Sequence, residues 1–262
     1  MLESAKAHRL TTHAAAVAFR VLVALVPLVL LGIAMLGVLG LEDVWMDSIA
    51  PALRDRLTSP VFVAVDHSAE EVLAGPKLVL VTLASALLLW EASRAVHAVT
   101  LALNEIHDVD EHRSWPRLTL LTLGLAAVAS GLVVVSALLF IGAARAGSGV
   151  LDTLLTLGRW PAAVLLLGLA VGLLLRYAPA EQPEPRWASA GSAAIVGGWL
   201  VLSAGFGFWV SSAASYRSAV GTLVAFLVLT AYVLALSAVF LAGAELDEAL
   251  RTRRHATRRR RG

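Results

Sequence analysis

The 262-residue chain contains no cysteine, and only 15% of its residues are charged. The first absence removes disulfides, thiolate metal sites and thiol nucleophiles together. The second removes the charged coat of a water-soluble domain, which carries about 25% charged residues. A Walker loop, a GxSxG elbow, an HExxH pair and a dinucleotide fingerprint are also missing, so no familiar nucleotide-binding or hydrolytic motif is written into the chain. Disorder is excluded from the other direction: disordered chains are poor in apolar residues, whereas here 58% are apolar and the mean hydropathy is +0.79. That balance belongs to a polytopic membrane protein.

Crossing a hydrocarbon layer of about 30 Å takes roughly 20 mostly apolar helical residues. Six such runs occur, at about 17–41, 77–97, 118–144, 160–177, 188–210 and 219–243. Helices are expected because lipid offers the backbone no partner, and a barrel would alternate in segments of about 10 residues. The fold class is therefore all-α. The first run is too long for a removable signal peptide, and no clear small-residue cleavage site follows it. An even number of spans puts both ends of the chain on one side. With those ends cytoplasmic, 15 of the 21 Lys and Arg residues lie inside and 6 outside, and seven of the 15 fall between Arg251 and Arg261. This predicts a cytoplasmic segment 1–16, a membrane domain 17–250 and a basic cytoplasmic tail 251–262. Trp115, Trp160, Trp187 and Trp209 stand at span ends, where indoles favour the interface.

The longest connection, 42–76, is expected outside and carries seven acidic residues. Trp45, Ile49, Leu53 and Leu57 recur every four residues, and Phe62, Val65, Ala69, Val72 and Leu73 resume the stripe after Ser59-Pro60. Two short amphipathic helices follow from that period. They either pack against the spans or lie on the membrane face as a lid over a pathway.

Ionisable side chains in a span each require a reason. Arg20, Glu91, Arg94 and Glu245 stand out, all in the inner half of the membrane under this topology, with Glu91 deepest and Arg94 beside it at i+3. They read either as one polar pocket for an ion, a proton relay or an anionic lipid headgroup, or as side chains that reach for the interface and leave only Glu91 in need of a partner. Pro27, in mid-span, should kink the first helix. Gly168 and Gly172, with Gly191, Ala194, Gly198 and Gly205, suit close helix packing, a homo-oligomer interface being the alternative. Residues 105–112 hold four acids and two histidines at no standard metal spacing and read as a solvated loop. The run Arg258 to Arg261 suits membrane lipid rather than nucleic acid. No metal or cofactor is expected.

Five segments stand out in order along the chain: Ala18-Phe19-Arg20-Val21-Leu22 leading to Val26-Pro27-Leu28, Leu89-Trp90-Glu91-Ala92-Ser93-Arg94, Ala102-Leu103-Asn104-Glu105, Arg176-Tyr177-Ala178-Pro179 with Arg186-Trp187, and Leu241-Ala242-Gly243-Ala244-Glu245-Leu246. Together they resemble the YihY/BrkB family of bacterial inner-membrane proteins. Arg20 departs from the pattern, since that position is often aromatic. The resemblance implies six spans, cytoplasmic ends and a helical external segment. It also brings a former ribonuclease label that these residues do not support, and links to serum resistance and envelope lipid or ion transport. The leading expectation is a non-enzymatic transporter or lipid-handling protein of the bacterial inner membrane that uses Arg20, Glu91, Arg94 and Glu245. The alternative is a scaffold with envelope protein partners. A membrane-embedded hydrolase stands third, for want of a nucleophile beside a base.

Overall fold

The computed structural model describes residues 2–55, 59–145, 150–181, 189–212 and 219–259. Among these the chain is helical throughout: α1 (Leu2–Val38), α2 (Glu42–Val44), a π turn (Trp45–Ile49), α3 (Ala50–Arg54), α4 (Ser59–Ala74), α5 (Lys77–Ile106), α6 (Trp115–Arg145), α7 (Val150–Tyr177), α8 (Ala190–Ser212) and α9 (Ala219–Arg259). Six of these are long and apolar enough to span a membrane: α1 from Leu10, α5, α6, α7, α8 and α9 through Thr252. Leu57, Arg186, Trp187, Arg260 and Arg261 lie outside the described residues.

The helix ends differ from the hydropathy boundaries for local reasons. The first span, expected to reach residue 41, stops at Val38 because Gly40 takes φ +65° and lets the Leu41 N–H return to the Leu36 carbonyl at 2.8 Å. α5 runs nine residues past its expected end at 97. Its apolar face continues through Val99, Ala102 and Leu103, all buried. Asp108 then stops the helix in the left-handed region at φ 54°, with the Val109 N–H on the Asn104 carbonyl at 3.0 Å. At α8, Ser189 and Ser192 exchange hydroxyl–amide hydrogen bonds of 3.0 Å in a capping box. α1 continues as helix through Pro27, which is buried.

Each spanning helix packs on the next in chain order, and α9 returns to α1, so that six helices close a ring, with α9 also touching α5. The main core gathers at the face bearing both chain ends: Ala14 and Val17 of α1, Val99 and Leu103 of α5, Ala126 of α6, Val171 of α7, Ile195 of α8 and Leu241 of α9. Toward the far face a smaller cluster joins α1 to α5 through Leu31, Ala84 and Leu88. There α7, α8 and α9 expose Leu165, Val201, Phe208 and Leu227. Lipid is as apolar as these side chains, so no hydrophobic force pulls them together.

At the far face, α2 to α4 form a cap that packs on α1 and α5. The predicted stripe splits: Trp45 and Ala69 are buried against Leu36, with Ile49, Leu53, Phe62 and Leu73 around them, whereas Val65 is exposed. Packing against the spans is thus what the stripe does. The π turn precedes Pro51, which has no N–H to offer Asp47, and the Ala50 N–H reaches back to the Trp45 carbonyl instead. Trp45 Nε1 donates to Asp66 at 3.0 Å, and Lys77 pairs with Glu42 at 2.6 Å. The Lys77 ammonium holds the Glu42 carboxyl below its ordinary range. Trp45→Phe keeps the ring but loses the donor, and should cost the cap about 1 kcal/mol. Faster amide hydrogen exchange confined to α2–α4 would register it.

Candidate functional site

α1 and α5 run antiparallel. His13 bonds Glu105 at one end of the pair and Leu31 packs with Ala84 and Leu88 further along, which sets Pro27 and Glu91 at about one level. Glu91 follows the exposed Trp90 and has a side chain only 17% exposed. Arg94, one turn on, approaches Glu91 Oε1 at 3.5 Å and is 46% exposed. The arginine therefore reaches outward while the carboxylate does not. Its second oxygen, Oε2, is buried without a hydrogen-bond partner, and a buried polar atom left so carries a desolvation cost of about 1–3 kcal/mol. Pro27, at about the same level on α1, has no N–H to give the Val23 carbonyl.

Arg20 and Glu245 do not join this pair. Arg20 stacks over the ring of its neighbour Phe19 at 5.9 Å, and Glu245 is exposed on α9 although Ala244 before it is buried. Neither makes an ion pair with another described residue. Of the four residues singled out from the sequence, the structure brings together Glu91 and Arg94.

A second polar constellation, built at the face bearing the chain ends, escaped the sequence reading. The segment 105–112, expected as a solvated loop, is tied into the bundle. Glu105 belongs to α5 and engages His13 of α1. Asn104, 5% exposed, donates to Glu111 Oε2 at 2.9 Å and accepts the Ala180 N–H at 2.7 Å. Arg113 grips both oxygens of Glu111 at 2.7 Å and donates to the Ala178 carbonyl at 2.8 Å. One amide and one ion pair thus fasten the end of α5 and the α5–α6 connection to the end of α7. The Arg113 hydrogen bonds lower the Glu111 carboxyl to about 2, against the opposing pull of burial. The signal that could have found this clamp was the asparagine: a polar amide in an apolar run, Ala102-Leu103-Asn104, asks for buried partners.

Three of the segments that carried the family resemblance meet here. Leu103, Asn104, Ala178, Pro179, Leu241 and Ala244 are all buried at this one end of the bundle. Among the described residues no group of three or more His, Asp and Glu is placed to share a metal ion.

Comparison with known proteins places the chain. Over 177 residues it is 28% identical to the ribonuclease-like protein YfkH of Bacillus subtilis (strain 168), a match taking in 63% of this chain and 64% of that protein. The matched part is less than two thirds of the relative's length. No solved structure matches. The model of the family described as virulence factor BrkB matches residues 1–262, and with the six-span helical fold above it, the chain belongs to that family.

Proposed function

We propose that this protein is a transporter or lipid-handling protein of the bacterial inner membrane, with both chain ends cytoplasmic, and that the Glu91–Arg94 pair lies on its pathway. One observation carries the reading: a spanning helix holds a carboxylate whose Oε2 is buried and unpartnered, and ionisable groups retained at membrane depth mark pathways for ions, protons or charged headgroups. Arg20 and Glu245 stand apart from the pair; Arg20 takes a lesser part as a contact for anionic headgroups, and Glu245, a carboxylate, one for cations. The reading is of a non-enzymatic protein that binds membrane lipid and not nucleic acid. The ribonuclease wording in the name of the Bacillus relative is not carried over.

Vesicles that contain the full chain and a trace of fluorescent headgroup-labelled phosphatidylglycerol, with the outer leaflet quenched chemically, test this. Glu91→Gln and Arg94→Ala should each slow lipid movement at least tenfold, a barrier increase of about 1.4 kcal/mol, while the protein remains monodisperse. Equal rates in wild type and both variants would remove the assignment. The scaffold reading draws on the exposed Met46 and Val63 of the cap. It would take precedence if the vesicles were inactive and photocrosslinkers at those two positions captured one defined envelope protein.

A further inference from the structure

At the face bearing the chain ends, the last turn of α5 meets α9 through a histidine whose two ring nitrogens both face acceptors. His107 Nδ1 lies 2.7 Å from the Leu103 carbonyl oxygen, and Nε2 lies 3.6 Å from Glu248 Oε2. A carbonyl and a carboxylate can only accept. A neutral imidazole has one N–H, so either tautomer leaves a ring lone pair aimed at an oxygen. The cationic ring donates Nδ1–H to the Leu103 carbonyl and faces the Glu248 carboxylate at ion-pair distance. Its side chain is only 12% exposed and that of Glu248 19%, so water does little to relieve the mismatch.

Several of the other charged groups near this contact are already engaged. On α9, Glu248 is held from its own helix by Arg251 at 2.9 and 3.1 Å and by the Thr252 hydroxyl at 3.3 Å. α1 brings His13, bonded to Glu105 of α5, and the α5–α6 connection brings Glu111, bonded to Arg113. His13 differs from His107 in an important way: a single N–H on Nε2 satisfies its contact with Glu105, so its neutral form serves as well as its cation.

We propose that His107 is a proton-responsive tie: its cation fastens α5 to α9 at this face, and loss of the proton loosens the two helices there. Histidine is the side chain whose charge changes in the physiological pH range, and the two helices it joins touch across the ring at the face where the main core gathers. The tie responds to the pH of the compartment that this face meets. It does not depend on what crosses the membrane, so it stands or falls apart from the transport reading.

The test reads distance, not activity. Because the chain has no cysteine, spin labels can be placed at Leu101→Cys on α5 and Ala249→Cys on α9, both at exposed positions, in the full chain held in neutral lipid nanodiscs. Between about pH 5.5 and about pH 8.5 the inter-label distance should lengthen by several ångströms and its distribution broaden. His107→Gln should give the long, broad distribution at both pH values. His107→Arg, with a fixed positive charge, should give the short one at both. His13→Gln should leave the response intact. A distance that ignores pH in the otherwise unaltered chain overturns the proposal, as does a response that survives His107→Gln or vanishes with His13→Gln. Should His107→Gln fail to fold, the unaltered chain and His107→Arg still decide the matter.

Discussion

Replacing Gly191 by alanine should lower the stability of the folded bundle by about 3 kcal/mol or more, the upper range for overpacking, although a single methyl group is added. A Cβ at Gly191 would stand 2.4 Å from the Gly243 carbonyl oxygen and 2.6 Å from Asp247 Cβ. The first of these is backbone and cannot rotate away, so α8 must withdraw from α9. Withdrawal opens a seam that other contacts depend on: the Trp199 indole donates to the Leu236 carbonyl at 2.8 Å, and Ser203 bonds the Tyr232 hydroxyl at 2.8 Å further along the same two helices. Gly243→Ala meets Ile195 Cγ1 at 2.4 Å and should be nearly as harmful. The contrast lies in Gly168 and Gly205, where an added Cβ has nothing within 4 Å. There alanine should be neutral or gain up to about 1 kcal/mol from helix propensity. Unfolding of all four variants, followed by tryptophan fluorescence during denaturant titration in detergent, would rank them. Equal stabilities for Gly191→Ala and Gly205→Ala would refute the close-packed seam.

Asn104→Ala should be the other large loss, about 3 kcal/mol, because it strands the Ala180 N–H and removes one of the donors to Glu111. Asn104→Asp retains an acceptor for Ala180 but sets a second carboxylate against Glu111, and should recover little at neutral pH. The same clamp makes stability depend on acidity. The Glu111 carboxyl is lowered from its ordinary 4.5 to about 2 in the folded protein, so the unfolded chain takes up the proton first as pH falls. Its contribution is fully present above about pH 4.5 and is lost as the pH drops toward 2. The unaltered chain should thus lose stability across that window more steeply than Glu111→Gln, which starts lower and lacks this titration. Parallel pH profiles for the two would show that the ion pair contributes nothing.

Much of the architecture could be read from hydropathy alone, since six long apolar runs in a chain with few charges leave helices as the one economical solution. Element ends were less legible. α5 carries its apolar face past the point where the all-round hydrophobic run stops, and Val99 and Leu103, with Phe240, Leu241 and Ala244 of α9, build a core that belongs to helix packing rather than to lipid. Hydropathy averages over a helix turn and cannot separate those two uses. The candidate site was legible in part. Glu91 and Arg94 share a face by spacing, and that much survives in three dimensions. The grouping with Arg20 and Glu245 rested on depth, and equal depth on different helices does not specify rotation about each axis. The clamp at Asn104 was hidden for a further reason: its partners are distant backbone groups, the Ala180 N–H 76 residues from Asn104 and the Ala178 carbonyl 65 residues from Arg113, and a carbonyl or an N–H leaves no mark in a sequence.

The cap has a consequence for assembly. Its helices lie between α1 and α5 in the chain and fold back onto those same two, so the contacts that join the cap to them and α1 to α5, from Trp45 on Asp66 to His13 on Glu105, fall within the first 106 residues. The cap's own contacts are local, Trp45 and Asp66 standing 21 residues apart, and cost little loop entropy. The α1–cap–α5 hairpin can therefore settle as a finished unit during synthesis, before α6 has entered the bilayer. The later helices then assemble against a surface that is already there.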